Sequence, residues 1–292
     1  MLRIDNLTHV YPNGTRALDC VSLEVPSGMF GLLGPNGAGK STLMRTIATL
    51  QVPTSGAIHF DSIDVLADPD ALRRTLGYLP QDFGVYPRVS AFDMLDHLAV
   101  LKGYGTRRER HEVVGALLNQ VNLWNVRRKA IAGFSGGMRQ RFGIAQALIG
   151  QPRLVIVDEP TAGLDPEESN RFLNLLSEVA ENIVVILSTH IVQDIANLCQ
   201  QTAVIAGGRI IRTGTPRDLV AELNGRVWKK TIDKHELEAH RTAHEIIATR
   251  LAGGRTVIHA LADADPGNGF TVAEADLEDV YFSTLLPLRR AS

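Results

Sequence analysis

The sequence predicts an α/β fold in which a parallel sheet is flanked by helices. Residues 29–33, 154–157 and 183–187 form short apolar runs, as expected of strands buried on both faces of such a sheet. Each run leads into a polar or glycine-rich segment and then into a helical pattern. Residues 83–150 read mainly as helix, which indicates a helical insertion between the first and second of these runs.

A glycine-rich loop follows the first apolar run and matches the pattern G-x-x-x-x-G-K-[ST]. We expect its three glycines to adopt positive φ and to turn successive N–H groups toward one point, at the start of a helix that also favours an anion. Lys40 is then expected on the β- and γ-phosphates, and the Ser41 hydroxyl on Mg²⁺. The predicted nucleotide-binding residues are Gly34, Pro35, Asn36, Gly37, Ala38, Gly39, Lys40, Ser41 and Thr42.

Two adjacent carboxylates, Asp158 and Glu159, end the second apolar run. Such a pair is often part of a solvated loop, but behind a buried strand it needs a cation or hydrogen-bond donors. A Mg²⁺ ion beside the phosphates is the natural partner. We therefore expect Asp158 to hold that ion and Glu159 to orient the attacking water.

A helix is predicted to start at Asp165, with Asp165 as N-cap, Pro166 in the first turn and Glu168 as the reciprocal capping residue. His190 follows the third apolar run. A histidine at a strand end can be merely structural, but this one lies on the edge where ligands collect in open α/β sheets, which favours a functional role.

The segment 134–141 reads F-S-G-G-M-R-Q-R, and Ser135 suits the N-cap of a helix whose N–H groups point at an anion. With this segment included, residues 2 to 220 resemble the ATP-binding cassette (ABC) ATPases. That family has a P-loop NTPase (RecA-like) core with an antiparallel β part and an inserted α-helical subdomain. One position departs from the family pattern, since Met138 stands where glutamine is common.

The resemblance implies further roles for individual residues. Gln81 matches the family glutamine that contacts Mg²⁺ and senses a membrane partner, so the metal set is Ser41, Gln81 and Asp158. His190 matches the histidine on the γ-phosphate and completes the catalytic set with Glu159 and Lys40. Tyr11 occupies the place where an aromatic ring stacks on adenine, although a half-buried strand tyrosine fits equally well. The Ser135-Gly136-Gly137 segment is expected to meet the phosphate bound by a second subunit.

The resemblance also predicts domains, partners and location. The ABC ATPase domain spans 1–224, with a helical subdomain at about 83–150, and a small α+β accessory domain spans 225–292. The partners implied are ATP with Mg²⁺, a second ATPase subunit (identical or related) and a separate integral membrane permease. The protein is expected on the cytoplasmic face of the membrane through the permease. The segment 81–103 would dock there through exposed apolar side chains. The candidates are Phe83, Val85, Tyr86 and Phe92, although each fits the inside of the helical subdomain equally well.

Composition excludes other classes. The net charge is −2, the two cysteines are too few for a disulfide framework, and the basic clusters are short, so no nucleic-acid partner is predicted. No apolar run approaches the roughly 18 to 20 residues that span a bilayer. The tail is predicted to contain strands at 227–232, 246–251 and 256–261 and a helix at 274–285. Its histidines, His235, His240, His244 and His259, are expected to be solvated.

Two function classes remain open on the sequence alone. The first is the ATPase subunit of a transporter, with the tail and residues 82–103 resembling the ABC-2 type exporter group, which includes drug-resistance systems. The second is a soluble ABC ATPase of the translation or repair type. Translation-type members carry two cassettes and repair-type members insert long coiled coils, whereas this chain has one motif set and 95 residues between Lys40 and Ser135. A binding module without turnover is disfavoured by the intact Lys40, Asp158, Glu159 and His190.

Overall fold

The computed structural model describes residues 1–81, 84, 86, 88–161 and 164–290 of the chain. Its strands, in chain order, are β1 (Leu2–Val10), β2 (Arg16–Val25), β3 (Gly28–Leu33), β4 (Ser55–Phe60), β5 (Ile63–Asp64), β6 (Leu76–Leu79), β7 (Leu154–Asp158), β8 (Val184–Thr189), β9 (Gln201–Ala206), β10 (Arg209–Gly214), β11 (Val227–Ile232), β12 (Glu245–Ala252), β13 (Arg255–Leu261) and β14 (Thr271–Val272). Its α-helices are α1 (Lys40–Ile47), α2 (Pro69–Thr75), α3 (Ala91–Leu101), α4 (Arg107–Gln120), α5 (Gly136–Leu148), α6 (Pro166–Ala180), α7 (Val192–Leu198), α8 (Pro216–Ala221), α9 (Leu237–Ala243) and α10 (Leu277–Arg290).

The central sheet has six strands in the order β10-β9-β3-β8-β7-β6. All neighbours in it are parallel except the β9–β10 hairpin. Every residue of β3, β7 and β8 is buried, which explains why these strands are continuously apolar in the sequence. Because the strands are parallel, the loop after β3, the carboxylates after β7 and the histidine after β8 meet at one edge.

An antiparallel sheet with the order β2-β1-β4-β5 covers one face of the central sheet. The buried residues of the two sheets and of α1 form one apolar core, which includes Leu2, Phe60, Leu43 and Ile156. The predicted α/β class with an antiparallel β part is thus confirmed. The helix α2 is absent from the sequence-based prediction for this region.

The other face of the central sheet packs against helices. The buried side chains of α3, α4 and α5, together with those of α6 and α7, form a second apolar core. Phe92 of α3 belongs to this core and is 6% exposed, so of its two alternatives the structure supports packing inside the helical subdomain and excludes a docking surface. Its ring packs edge-on against His111. Tyr86 is 64% exposed, whereas Phe83 and Val85 lie outside the described residues.

The C-terminal region forms a third, antiparallel sheet with the order β12-β13-β11-β14, and α10 returns to the rest of the chain. Val280, Tyr281 and Leu285 of α10 are buried in the same apolar core as Val192 and Ile195 of α7. The predicted strands match β11, β12 and β13 closely, while α9 and β14 were not predicted. The division between residues 224 and 225 stays a prediction, because this core runs across it.

The solvated reading of the tail histidines was wrong for three of the four. His259 is buried, and its Nδ1 lies 2.8 Å from Oδ1 of the buried Asp279. The rings of His240 and His244 are partly buried, stack with centroids 5.7 Å apart and contact Phe270. The sequence could not show this, because the contacts join β11–β14 to α9 and α10 across the fold. Only His235 is exposed.

No α-helix within the described part of the chain combines the length and the apolar character that crossing a membrane requires.

Candidate nucleotide site

A cavity of about 690 Å³ lies at the edge where β3, β7 and β8 end. Its lining contains most of the residues that the sequence predicts for nucleotide binding, together with five residues that the sequence does not predict. The predicted residues in its lining are Tyr11, Pro35, Asn36, Gly37, Ala38, Gly39, Lys40, Ser41, Thr42, Gln81, Glu159 and His190. Gly34 directly precedes this set in the loop, and Asp158 is the neighbour of Glu159.

The loop between β3 and α1 requires glycines for two different reasons, positive φ and the lack of space for a Cβ atom. Gly37 and Gly39 have φ of 78° and 107°, as predicted. Gly34 does not adopt positive φ, so that part of the prediction was wrong; a Cβ there would instead collide with the carbonyl oxygen of Ile205. Gly39 stands as the N-cap of α1, so the free N–H groups of this helix face the cavity.

Lys40 is buried, and its ammonium group is held by the loop itself. Nζ donates to the carbonyl oxygen of Gly34 at 2.6 Å and to that of Pro35 at 3.3 Å, and it lies 3.9 Å from Oε1 of Glu159. Burial lowers the pKa of Lys40, and the carboxylates of Glu159 and Asp158 act in the opposite direction. A poorly solvated ammonium group whose partners among the described residues are two carbonyl oxygens and one distant carboxylate is well suited to donate hydrogen bonds to phosphate oxygens.

Asp158 is 4% exposed. Its Oδ1 and the neighbouring Ser188 hydroxyl form no hydrogen bond within the part of the chain that the structure describes. Burial raises the pKa of Asp158, while the hydroxyl of Ser41 and the ammonium of Lys40 oppose that rise. A buried carboxylate oxygen without a partner, beside a serine hydroxyl, is a suitable ligand pair for a hard divalent cation.

Glu159 and His190 form a hydrogen-bonded pair in the lining of the cavity. Nδ1 of His190 is hydrogen-bonded to Oε2 of Glu159. Glu159 has a φ of 50°, and its N–H donates to the carbonyl oxygen of Ser188 at 2.8 Å. This left-handed turn lifts the side chain out of the strand direction of β7, which is an unusual conformation for glutamate and is typical of functional positions.

The helix that follows His190 is anchored to the turn after Glu159. Asp194 of α7 accepts a hydrogen bond from the Thr161 hydroxyl at 3.1 Å. Burial raises the pKa of Asp194, and this bond opposes the rise. The chain segments that follow Glu159 and His190 are therefore linked to each other by the Thr161–Asp194 hydrogen bond, in addition to the contact between Glu159 and His190.

Tyr11 directly follows β1 and stands at the cavity wall. Its hydroxyl lies 3.0 Å from Oγ1 of Thr42, and its ring meets His9 edge-on, so the ring position is fixed from two sides. Sequence reasoning missed five lining residues: Thr15, Arg16, Ala17, Gly207 and Gly208. The N–H of Gly208 also donates to the carbonyl oxygen of Ala38 at 3.0 Å, which supports the loop.

Ser135 caps α5 as predicted: its hydroxyl accepts a hydrogen bond from the N–H of Met138 at 3.2 Å. However, Ser135, Gly136 and Gly137 are absent from the described lining of the cavity. Ser135 and Gly136 are exposed, whereas Gly137 is buried. The N-terminus of α5 therefore presents free N–H groups at a surface rather than to the nucleotide loop of the same chain.

Asp165 is the N-cap of α6 and accepts from the N–H of Glu168 at 2.9 Å, as predicted. The reciprocal half of that prediction was wrong, because the Glu168 carboxylate turns away from the N-cap and pairs with Arg141 and Arg171. Tertiary contact with α5 thus replaces a local capping bond. Ala162 and Gly163 lie outside the described residues.

Comparison with known proteins identifies the family. The family model described as "ABC transporter" matches residues 18–162. The daunorubicin/doxorubicin resistance ATP-binding protein DrrA of Streptomyces peucetius is 33% identical over 280 residues, which are 95% of this chain and 81% of that protein. The chain belongs to the ABC transporter ATP-binding proteins.

Other ABC relatives differ in what their names say they transport. The methionine import ATP-binding protein MetN of Vibrio cholerae is 32% identical over 272 residues, covering 88% of this chain and 78% of that protein. A dimeric ATP-binding cassette in a post-hydrolysis state with ADP and Pi superposes with a TM-score of 0.68 at 26% identity, covering 74% of this chain and 98% of the other. The chain is thus an ABC ATPase that binds and hydrolyses ATP, with the P-loop NTPase fold of that family.

Proposed function

We propose that this ATPase powers a separate membrane-spanning exporter through the ATP-driven closure of two ATPase subunits. The observation that carries this proposal is the position of the Ser135 helix. Its capped N-terminus is suited to an anion, yet it lies outside the described lining of the chain's own nucleotide cavity. A second copy, or a related subunit, would place its bound phosphates against these N–H groups, and the dimeric cassette with ADP and Pi shows that such cassettes associate.

Mg²⁺ fits the oxygen atoms at the end of β7. The orphan Oδ1 of Asp158 and the Ser41 hydroxyl would hold the ion, with Gln81 from the cavity wall as a further oxygen ligand. When bound, the ion neutralises phosphate charge. Lys40 then contributes its ammonium to the β- and γ-phosphates, and Tyr11 is placed to cover the adenine.

Glu159 and His190 have complementary roles in this proposal. The Glu159 carboxylate orients and deprotonates the attacking water, and the His190 imidazole holds that carboxylate through Nδ1 while its far side faces the γ-phosphate. The ring is 57% exposed, so it is accessible from the cavity.

The Glu159→Gln variant tests this mechanism. It should bind ATP with near wild-type affinity but lose about 10²–10⁴ in turnover, the usual contribution of a positioned base. Trapped before hydrolysis, it should elute as an ATP-dependent dimer in size-exclusion chromatography with light scattering. The proposed dimer mechanism fails if this variant binds ATP and remains monomeric at saturating ATP.

The export direction rests on the relatives. The similarity to the drug-resistance protein DrrA extends over 95% of the chain and so includes most of residues 225–292, which we propose as an accessory domain. Importer subunits such as MetN match almost as much of the chain, so the direction needs a transport assay. Drug accumulation in inside-out vesicles containing this protein and its permease partner would support export, and the absence of ATP-driven uptake would count against it.

Attachment to the cytoplasmic face of the membrane through the permease is also proposed. Tyr86, exposed and close in sequence to Gln81, is the described apolar residue best placed to report nucleotide binding to a partner. Tyr86→Glu should reduce permease-dependent recruitment to membranes, whereas Leu251→Glu, at an 81% exposed site on the third sheet, should not. Equal recruitment of both variants would exclude Tyr86 from the docking surface.

A further inference from the structure

We propose that Glu168 is a positioning residue for ATP hydrolysis, which fixes the Ser135 helix α5 against α6 so that both helix starts meet the second subunit in one geometry. This proposal rests on the dimer mechanism above. We call the contact of Glu168 with Arg141 and Gly137 the α5–α6 latch.

The Glu168 carboxylate is directed at α5. One of its oxygens is hydrogen-bonded to Nη1 of Arg141, and the two side chains are 22% and 14% exposed. Arg171, one turn further along α6, approaches the other oxygen at 3.5 Å but is 56% exposed. A charge-assisted hydrogen bond in a largely desolvated place is stronger than an exposed ion pair, so Arg141 is the dominant partner.

Arg141 depends on this contact. Its Nε is buried and finds no hydrogen-bond partner among the described residues. The Glu168 carboxylate is thus the acceptor on which the buried guanidinium relies. Removal of that charge would leave a poorly solvated cation in the middle of α5, which is more costly than the loss of a surface pair.

The same carboxylate sets the approach of the two helices. A Cβ atom added to Gly137 would stand 2.5 Å from Oε2 of Glu168 and 2.8 Å from its Cδ, so the Glu168 carboxylate can occupy its present position only with glycine at 137. The neighbouring Gly136 differs, because a Cβ there would meet Leu164 at 3.9 Å, an ordinary contact distance. Glycine at 137 thus gives the Glu168 carboxylate the space in which it pairs with Arg141.

The latch joins the two parts of the chain that face a partner in the proposed dimer. Ser135 lies two residues before Gly137, and Asp165, bound by the Glu168 N–H, follows Glu159 by six residues. Closure requires the Ser135 N–H groups to meet a phosphate while Glu159 of the same chain meets the other nucleotide. If α5 and α6 can shift relative to each other, their arrangement must be fixed when the dimer closes. The cost of fixing it weakens the dimer and lowers turnover, while the nucleotide loop is unaffected.

The first test introduces Glu168→Gln into the Glu159→Gln protein and measures the ATP concentration at half-dimerisation. Replacement of a charge-assisted bond by a neutral one should raise that concentration about tenfold, while ATP affinity of the monomer stays unchanged. In the wild-type background, Glu168→Gln should lower kcat and leave the ATP affinity of the isolated chain as it was. Glu167→Gln, whose carboxylate is 75% exposed and pairs only with Arg171 among the described residues, is the control and should change neither quantity.

Unchanged dimerisation and kcat for Glu168→Gln would overturn the latch while the dimer mechanism stands. If the Glu159→Gln parent itself stays monomeric, the dimer mechanism fails, and with it the role assigned to the latch.

A second test is independent of closure. Gly137→Ala should lower the thermal midpoint of the nucleotide-free protein, Gly136→Ala should not, and Glu168→Ala should relieve most of the Gly137→Ala effect because it opens the space. Additive effects of Gly137→Ala and Glu168→Ala would show that the two residues do not meet, and the latch would be abandoned.

Discussion

The imidazole Nδ1 of His190 is hydrogen-bonded to the carboxylate Oε2 of Glu159, although the two residues lie 31 positions apart and follow different strands. Their contact arises because β7 and β8 are parallel neighbours, with Asp158 paired to Ser188 in the register. The strand ends therefore place the proposed base, Glu159, beside His190 in the lining of the cavity.

Because Glu159 and His190 are in contact, we expect their removal to be non-additive. Glu159→Gln and His190→Ala should each lower kcat by about 10²–10⁴, and the double variant should be no slower than the worse single variant. His235→Ala, at an exposed site in the C-terminal region, should retain wild-type kcat. Steady-state ATPase assays on the wild type and the four variants test this expectation. Multiplicative losses in the double variant would show that the two groups act separately.

Lys40, which is buried, and Lys102, which is partly buried, allow a matched comparison. Lys40 and Lys102 each donate to two backbone carbonyl oxygens, and burial lowers the pKa of both, but only Lys40 faces the cavity. Lys40→Met should abolish ATP binding with a small change in stability, because the loss of two bonds is offset by removal of a desolvated charge. Lys102→Met should preserve ATPase activity.

Nucleotide titration followed by fluorescence, together with urea unfolding, measures both quantities. Tight ATP binding by Lys40→Met would remove this lysine from the proposed site.

The Ser135 segment should act through its cap and backbone. Met138 is partly buried and packs against the apolar core, so Met138→Gln is expected to change kcat less than threefold or so. Ser135→Ala should lower stability by about 1 kcal/mol through loss of the cap, and Ser135→Arg should prevent ATP-dependent dimerisation by placing bulk and charge at the helix start. A large gain of activity in Met138→Gln would mean that methionine impairs this helix.

The raised pKa of Asp158 predicts a pH-dependent cost. A carboxyl group whose pKa is raised by burial keeps its proton to a higher pH in the folded protein than in the unfolded chain, so ionisation above the ordinary value of 3.8 destabilises the fold. Asp158→Asn should therefore raise the free energy of unfolding by about 1 kcal/mol at pH 7. Below pH 3.8 the variant should leave the free energy of unfolding unchanged.

Urea unfolding across pH in the absence of nucleotide measures this difference. Added Mg²⁺ and ATP should reverse the order, because the wild-type carboxylate then gains its cation. A variant that is less stable than wild type at pH 7 would show that the charge of Asp158 is already compensated by Lys40.

The buried His259–Asp279 hydrogen bond should support the C-terminal region. Asp279 also receives Nη2 of Arg250 at 3.4 Å and, through Oδ2, the N–H of Asp276. Asp279→Ala should lower the free energy of unfolding by about 1–3 kcal/mol, since it leaves buried donors unsatisfied. Glu278 is a half-exposed neighbour that pairs with the same arginine. Glu278→Ala should therefore change the free energy of unfolding by less than about 1 kcal/mol. Equal effects of the two variants in urea unfolding would contradict the special role of the buried residue.

The sequence by itself predicted the central strands and named the residues of the proposed site. The three apolar runs predicted β3, β7 and β8 because strands buried on both faces cannot carry polar residues, and the segments that follow them named Lys40, Asp158, Glu159 and His190. These features are local: spacing, turn glycines and caps are read along the chain without knowledge of what lies across the fold.

Only the tertiary structure decided which polar groups meet. Glu168 has the sequence of a reciprocal cap, yet a buried arginine of α5 offers its carboxylate a stronger partner than the helix end does. His259 looks like a surface histidine until α10 folds over β13, and Gly34 needs glycine because of Ile205, 171 residues away, rather than for its own φ. Such contacts join distant segments, and burial, which sets their strength, is a property of the assembled fold.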